Sequence, residues 1–252
     1  MSAWARQRQT IVITYIVLII AVIVAIVYFL VIYKPPSCFD GERNGLEEGV
    51  DCGGGCQLVC PFAAARPNIA WARAFRVAEG VYNIAAEVEN PNFQVGTTIN
   101  YSLKSYDDEN VLINEIYESV TLYPKEKRII FEPAVQTQNR SISRVFLEFD
   151  QDNNWYNLTD IPKRIITQGY NFDNLDTNPS LQVELRNTSI RPVGDLIVIA
   201  VLYDEEENVE QVSRTLVDVI GADSVGQAFF RWRRPFNNPI GTVEVFVVEP
   251  RE

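Results

Sequence analysis

The sequence predicts a mainly β chain: an N-terminal transmembrane helix, a small disulfide-rich segment, and two tandem antiparallel β-sandwiches. Three observations carry that reading. Ile11–Tyr33 is a 23-residue run without a charged side chain, four cysteines fall within residues 38–60, and the strand patterns that follow recur at an offset near 97 residues. The boundaries this implies are a cytoplasmic N-terminus at 1–10, the helix at 11–33, the cysteine segment at 34–60, a linker at 61–67, a first sandwich at 68–157 and a second at 158–252.

Within Ile11–Tyr33 only Thr14 and three tyrosines carry polar side-chain groups. At ~1.5 Å per residue the run spans roughly 34 Å, enough for a hydrocarbon core about 30 Å thick. A secretory signal has an apolar stretch of roughly 7–15 residues and ends at a small-residue cleavage site. This run is longer, and its end, FLVIYKPPS, offers no such site. Lys34, Pro35 and Pro36 also stand where a lipidated Cys38 would need small apolar residues. The expectation is therefore a retained anchor. Arg6 and Arg8 precede it and only Lys34 follows closely, which favours a cytoplasmic N-terminus and an exported body.

The chain has 252 residues, 33 acids and 22 basic residues, for a net charge of −11. All the acids follow residue 35, so the body carries 19 basic residues against 33 acids, or −14. Such a body repels nucleic acid and anionic lipid. There is no histidine, which removes Ser-His-Asp and Cys-His machinery and histidine-ligated metals. Phosphate-cradling glycine motifs are missing as well, and the acid pairs at Asp107/Asp108 and Asp204–Glu207 read as solvated hairpin turns. The expectation is a protein that is not an enzyme.

Cys38, Cys52, Cys56 and Cys60 are spaced C-x13-C-x3-C-x3-C. The C-x2-C knuckles of zinc sites are missing, and an even, clustered set in an exported region reads as two disulfides, with three pairings open. The segment is too poor in apolar residues for a core and needs cross-links or an ion. Gly41, Gly45, Gly49 and Gly53–Gly55 permit turns with positive φ. Asp40, Asn44, Glu47, Glu48 and Asp51 offer hard oxygen ligands suited to Ca²⁺, or simply caps for those turns. The EF-hand pattern is not present. Cys38, Asp40, Gly41, Asn44, Glu47, Val50, Asp51, Cys52, Gly53, Gly54 and Cys56 resemble a short module, C-x-D-G-x-x-N-x-x-E-x-x-V-D-C-G-G-x-C, of bacterial secreted and surface proteins. The resemblance implies an extracytoplasmic, disulfide-linked element, with Asp40, Asn44, Glu47 and Asp51 as calcium ligands.

Beyond the linker PFAAARP, Tyr82, Ile84, Ala86 and Val88 alternate up to Asn90-Pro91-Asn92, and Leu181, Val183 and Leu185 alternate up to Asn187-Thr188-Ser189. Asn187 follows Asn90 by 97 residues, Tyr203-Asp204 follows Tyr106-Asp107 by 97, and Val217 follows Val120 by 97. RVFLEF at 144–149 and TVEVFV at 242–247 match at 98. A duplicated unit of six or seven short strands is the signature of a sandwich. Leu196–Tyr203, apolar throughout, reads as a central strand covered on both faces.

AVLYDEEENV, with VELRNTS about a dozen residues earlier, resembles the FxLYD domain of bacterial surface proteins, although Ala200 stands where that family has Phe. The first unit fits more loosely, with Ser105-Tyr106-Asp107 in place of Leu-Tyr-Asp. Both units are also similar to immunoglobulin-like and late-embryogenesis-abundant-type sandwiches. These likenesses imply a fold and a surface location, and attach no activity to it.

Two groups of side chains remain as binding candidates. Trp71, Trp155, Trp232, Tyr156 and Tyr170 could stack on sugar or fill cores, with Trp155-Tyr156 placed to join the two sandwiches. Arg231, Trp232, Arg233 and Arg234 form the basic-aromatic cluster of an acidic body and would dock an acidic partner or pack beside the other unit's acids. Alternation puts Phe230 and Trp232 on one side and Arg231 and Arg233 on the other. Four N-x-[ST] triplets, at Asn100, Asn139, Asn157 and Asn187, read as incidental in a bacterial protein. The functional expectation is a single-pass envelope protein that binds or scaffolds a protein or surface polymer. A glycan-binding module and a passive spacer are the alternatives.

Overall fold

The computed structural model describes residues 3–33, 35–150, 153–158 and 163–250. Lys34 and residues 159–162, just past the expected boundary between the sandwiches, lie outside them. The chain forms two compact units, Met1–Gln57 and Leu58–Glu252. In the first, helix α1 (Ala3–Val27) runs into a π-helical turn at Tyr28–Ile32. It begins eight residues before the apolar run, because Ala, Arg and Gln are good helix formers and extend the helix. Arg8–Leu30 has the length and composition to cross a membrane, and its mean hydropathy is 3.2. None of that stretch is buried against protein. Among the described residues of this unit, the cysteine segment after it has no helix, and an isolated bridge joins Gly49 to Cys52.

The second unit is antiparallel throughout. A two-residue strand β1 (Leu58–Val59) leads to a first set of six strands: β2 (Asn68–Ala78), β3 (Val81–Glu89), β4 (Val95–Tyr106), β5 (Leu112–Leu122), β6 (Lys127–Gln136) and β7 (Arg144–Phe149). After β8 (Trp155–Asn157) comes a second set: β9 (Ile165–Asp173), β10 (Ser180–Asn187), β11 (Val193–Asp204), β12 (Val209–Ile220), β13 (Val225–Arg231) and β14 (Ile240–Val248). The first set makes the sheets β2-β3-β6 and β5-β4-β7, and the second makes β9-β10-β13 and β12-β11-β14. The strand order is the same in both. The expected linker is not free chain: Pro61–Ala63 is a 3₁₀ turn, and Asn92 clamps Ala65 at both its N–H and its carbonyl.

The duplication reaches individual hydrogen bonds. Asn90, fully buried, donates through Nδ2 to the carbonyls of Val95 and Tyr123, and its Oδ1 accepts the Asn92 N–H. Asn187, also fully buried, donates to the carbonyls of Arg191, Ile220 and Gly221, and its Oδ1 accepts the Ser189 N–H. Asp107 caps its hairpin by accepting from the N–H groups of Glu109 and Val111, and Asp204 from those of Glu206 and Asn208. These four residues are short polar side chains that bond neighbouring backbone in place of the ladder.

Each sandwich has its own core. Ile84, Ala86, Val88, Ile99, Leu103 and Leu122 anchor the first, and Leu181, Val183, Leu185, Leu196, Val198 and Leu202 the second. A third cluster lies between the sandwiches. It joins Phe75, Ala85 and Ile129 of the β2-β3-β6 sheet to Ile199, Val201, Val209 and Val212 of the β12-β11-β14 sheet. β11 is therefore covered on both faces, as its unbroken apolar run requires. The four sheets stack as one body.

The buried asparagines predict a clear contrast. Replacing Asn187 by Ala strips buried carbonyls of their donor and is expected to cost about 2–3 kcal/mol in urea unfolding, since each unsatisfied buried group costs roughly 1–3 kcal/mol. Asn139→Ala, at an exposed turn, strips no buried partner and is expected to cost less, about 1 kcal/mol, for the left-handed backbone that Asn tolerates better than Ala.

Candidate functional sites

In the cysteine segment, Cys38 is bonded to Cys56, and Cys52 and Cys60 are disulfide-bonded as well, so no cysteine is free. Glu47 lies close to the Cys38 and Cys56 sulfurs. Those sulfurs are joined to each other, which leaves no thiolate for zinc. Positive φ occurs at Gly41, Gly45, Gly53 and Gly54, and not at Gly49 or Gly55. Gly54 has the strictest requirement, because a Cβ there would stand 1.8 Å from the Leu46 carbonyl oxygen.

The acids of this segment cap its turns. The Asp51 carboxylate accepts from the N–H groups of Asp40 and Gly41. Asp40 accepts from the N–H groups of Ser37 and Glu42 and from Asn44 Nδ2, and Glu47 Oε2 accepts the Asn44 N–H. Asn44 Oδ1 is a buried acceptor with no hydrogen-bond partner. The four expected calcium ligands thus share one loop, with Asp51 engaged by backbone donors on both oxygens and Asn44 Oδ1 open.

The second candidate lies at the end of β13. Phe230 is buried, and the Trp232 ring stacks on it at 6.3 Å and meets Phe236 edge-on at 5.3 Å. Both rings face the second core, while Arg231, Arg233 and Arg234 are exposed. The alternation expected from sequence holds. Trp232 is consequently a core residue that fixes the backbone, and the three arginines make no ion pair with the described residues.

The aromatic residues that could stack on sugar or fill cores do not converge on one surface. Trp71 lies at the cluster between the sandwiches, Trp155 is buried in β8, and Tyr170 packs edge-on against Phe172. Trp155-Tyr156 does not join the sandwiches. It pairs with Leu58–Val59 on one side and with Gly96–Thr97 on the other, extending the first sandwich's own sheet. Of the glycosylation triplets, Asn187 is buried and Asn139 is exposed, and Thr159 of the Asn157 triplet lies outside the described residues.

Sequence reasoning missed Glu87. Only 6% exposed, it accepts from Trp71 Nε1 at 3.0 Å and from the Tyr203 hydroxyl of the second sandwich at 3.1 Å, with Lys127 Nζ 3.8 Å away. Arg73 donates across the same boundary to the Val209 carbonyl. Burial, then the charge of Glu87, pushes the Tyr203 phenol well above its ordinary value, so it remains a donor. The available signal was Glu87 itself, an acid in the otherwise small and apolar run IAAEV.

No protein-family model matches the chain, and no curated protein matches it. Among solved structures, a red sea bream transglutaminase is similar at a TM-score of 0.25 and 11% identity, over 74% of this chain and 29% of that one. A likeness that slight bears on neither fold nor function.

The turn aspartates generate a pH prediction. Hydrogen bonds from Val111 N–H and the guanidinium of Arg140 hold Asp107 below its usual value, and the Asn208 N–H does so for Asp204. A depressed carboxylate stabilises the fold above the unfolded pKa of about 3.9 and loses that contribution as pH falls through the folded value. Melting temperature should therefore drop steeply below about pH 4. Asp107→Asn and Asp204→Asn should each flatten that limb, and an unchanged limb in both would refute the assignment.

Proposed function

We propose that the protein is a non-enzymatic scaffold of a bacterial envelope, held by one retained helix with its N-terminus in the cytoplasm and its β body outside. The observation that carries this reading is a membrane-length apolar helix in the same chain as a cysteine set that is fully disulfide-bonded. Disulfides persist in exported compartments. The acidic body then keeps its distance from anionic headgroups and stays soluble. The fused sandwiches suit a scaffold, because two domains locked by an apolar cluster hold a partner at fixed geometry. Arg231, Arg233 and Arg234 are its docking residues for an acidic protein or surface polymer, since guanidinium groups pair with carboxylate or phosphate in a bidentate fork. Protease added to intact cells should remove the body and spare the helix, and N-terminal sequencing should find the apolar run still attached. A body protected in intact cells and digested in lysates would overturn the topology, and loss of the run would make it a signal sequence.

Calcium is a second reading, favoured by the open Asn44 Oδ1 within the Asp40, Asn44, Glu47 and Asp51 loop. These residues would hold a hard cation through oxygen atoms, and the ion would rigidify the loop. Full-length protein in detergent should then melt higher in excess Ca²⁺ than in chelator, by RT ln(1 + [L]/Kd), and Asn44→Ala should erase the difference. Equal melting temperatures retire the ion.

A further inference from the structure

We propose that copies of the protein associate head to tail, the outer β9-β10-β13 face of one copy's second sandwich seating on the outer β5-β4-β7 face of the next copy's first. This goes beyond the scaffold reading, and it rests on the contact already made inside each chain.

That internal contact joins two different faces: β2-β3-β6 of the first sandwich and β12-β11-β14 of the second. Because the sandwiches are duplicates, each of those faces has a twin, and both twins lie on the outside of the four-sheet stack. Strand register fixes the correspondences. Glu87 lies three residues before Asn90, and Glu184 lies three before Asn187. Phe131 is opposite Ala85, and Phe229 is opposite Gln182, the residue that matches Ala85. Likewise Tyr203 precedes Asp204 as Tyr106 precedes Asp107. Arg214 is opposite Ile199, and Tyr117 is opposite Ser102, the residue that matches Ile199.

The internal contact uses these positions directly. The Tyr203 hydroxyl donates to Glu87, and the Arg214 guanidinium lies over the Phe131 ring at 5.5 Å. Repeating the same contact between two copies sets Tyr106 against Glu184 and Tyr117 against Phe229. Lys104, the next residue inward from Tyr106 on the same face, is paired within its own sheet with Glu115 and Glu148, so the hydroxyl of Tyr106 is the group left to meet Glu184. Tyr117 and Phe229 are 70% and 55% exposed, well above the ordinary for such rings, and Phe146 and Val225 stand exposed on the same two faces. The occupant is a second copy because the two outer faces are the duplicates of two faces that already fit each other.

The outer contact differs from the inner one in strength. Ile199, Val201, Ala85 and Ile129 fill the inner contact, whereas Ser102, Lys104, Gln182 and Gln227 hold the matching outer positions. Less apolar area leaves water, so the association is reversible and depends on crowding within the membrane plane. A contact between two unlike faces also does not close on itself, and it yields chains of variable length.

The test uses the full-length protein in lipid vesicles. All native cysteines are disulfide-bonded, so Tyr117→Cys and Phe229→Cys each add one free thiol at an exposed position. Vesicles holding both variants, treated with a short bis-maleimide, should yield several-fold more cross-linked dimer than vesicles holding either alone. A chain with both substitutions should give a ladder. Tyr106→Phe added to Tyr117→Cys should cut the mixed yield several-fold, because it removes the hydroxyl that Glu184 accepts. Equal yields from mixed and single-variant vesicles, or a yield indifferent to Tyr106→Phe, overturn the proposal.

Discussion

The carboxylate of Glu87, enclosed between two sheets, is the constraint on which the body depends. A buried ion costs several kcal/mol unless its lone pairs are met. Trp71 and Tyr203 meet them from opposite sandwiches, and Lys127 adds a nearby charge. Tyr203 can reach Glu87 in one arrangement of the two sandwiches, so sliding either past the other strands the charge. The apolar cluster around it has no such selectivity, since Phe75, Ile129, Ile199 and Val201 would tolerate many offsets. Burial supplies the attraction and Glu87 supplies the register.

That division of labour explains why the two repeats have diverged where they have. Positions inside each sandwich keep their character: Val88 and Leu185 face their cores, and Asn90 and Asn187 tie the same loops. Positions on the sheet faces have gone separate ways. Val201, Val212 and Phe246 line the inner boundary, while Lys104, Glu115 and Glu148 hold the matching outer sites and form ion pairs there. The face enclosed within the chain became apolar and its outer twin became charged. The fold was duplicated, and the surfaces were then sorted by their neighbours.

How far the sequence could be read follows the same line. Alternation revealed the strands, and turn chemistry revealed the repeat, because both are local: Asn-Pro-Asn and Tyr-Asp-acid signals depend on a few adjacent residues. The disulfides and the apolar helix were legible from composition. The contact between sandwiches was not, since it pairs residues 83 to 136 positions apart, and one-dimensional periodicity does not tell which face meets which. The unbroken run of β11 did indicate cover on both faces. It could not name the sheet supplying that cover. Trp71 and Trp232 mark where the sequence left two readings open. An aromatic ring in a sandwich can face a ligand or a core, and only the three-dimensional surroundings decide.

The fused body also bears on the choice between scaffold and spacer. A spacer gains reach when its modules are strung end to end on flexible joints, since the distance spanned grows with each one. Here the second sandwich lies against the first, sheet on sheet, so duplication added thickness and faces and little length. The chain entering the first sandwich is likewise held, with Leu58–Val59 paired to β8 and Ala65 clamped by Asn92. Holding these segments costs conformational entropy of about 1–2 kcal/mol per residue fixed. A spacer gains nothing from that cost. A protein that must present two distinct faces at a set angle does.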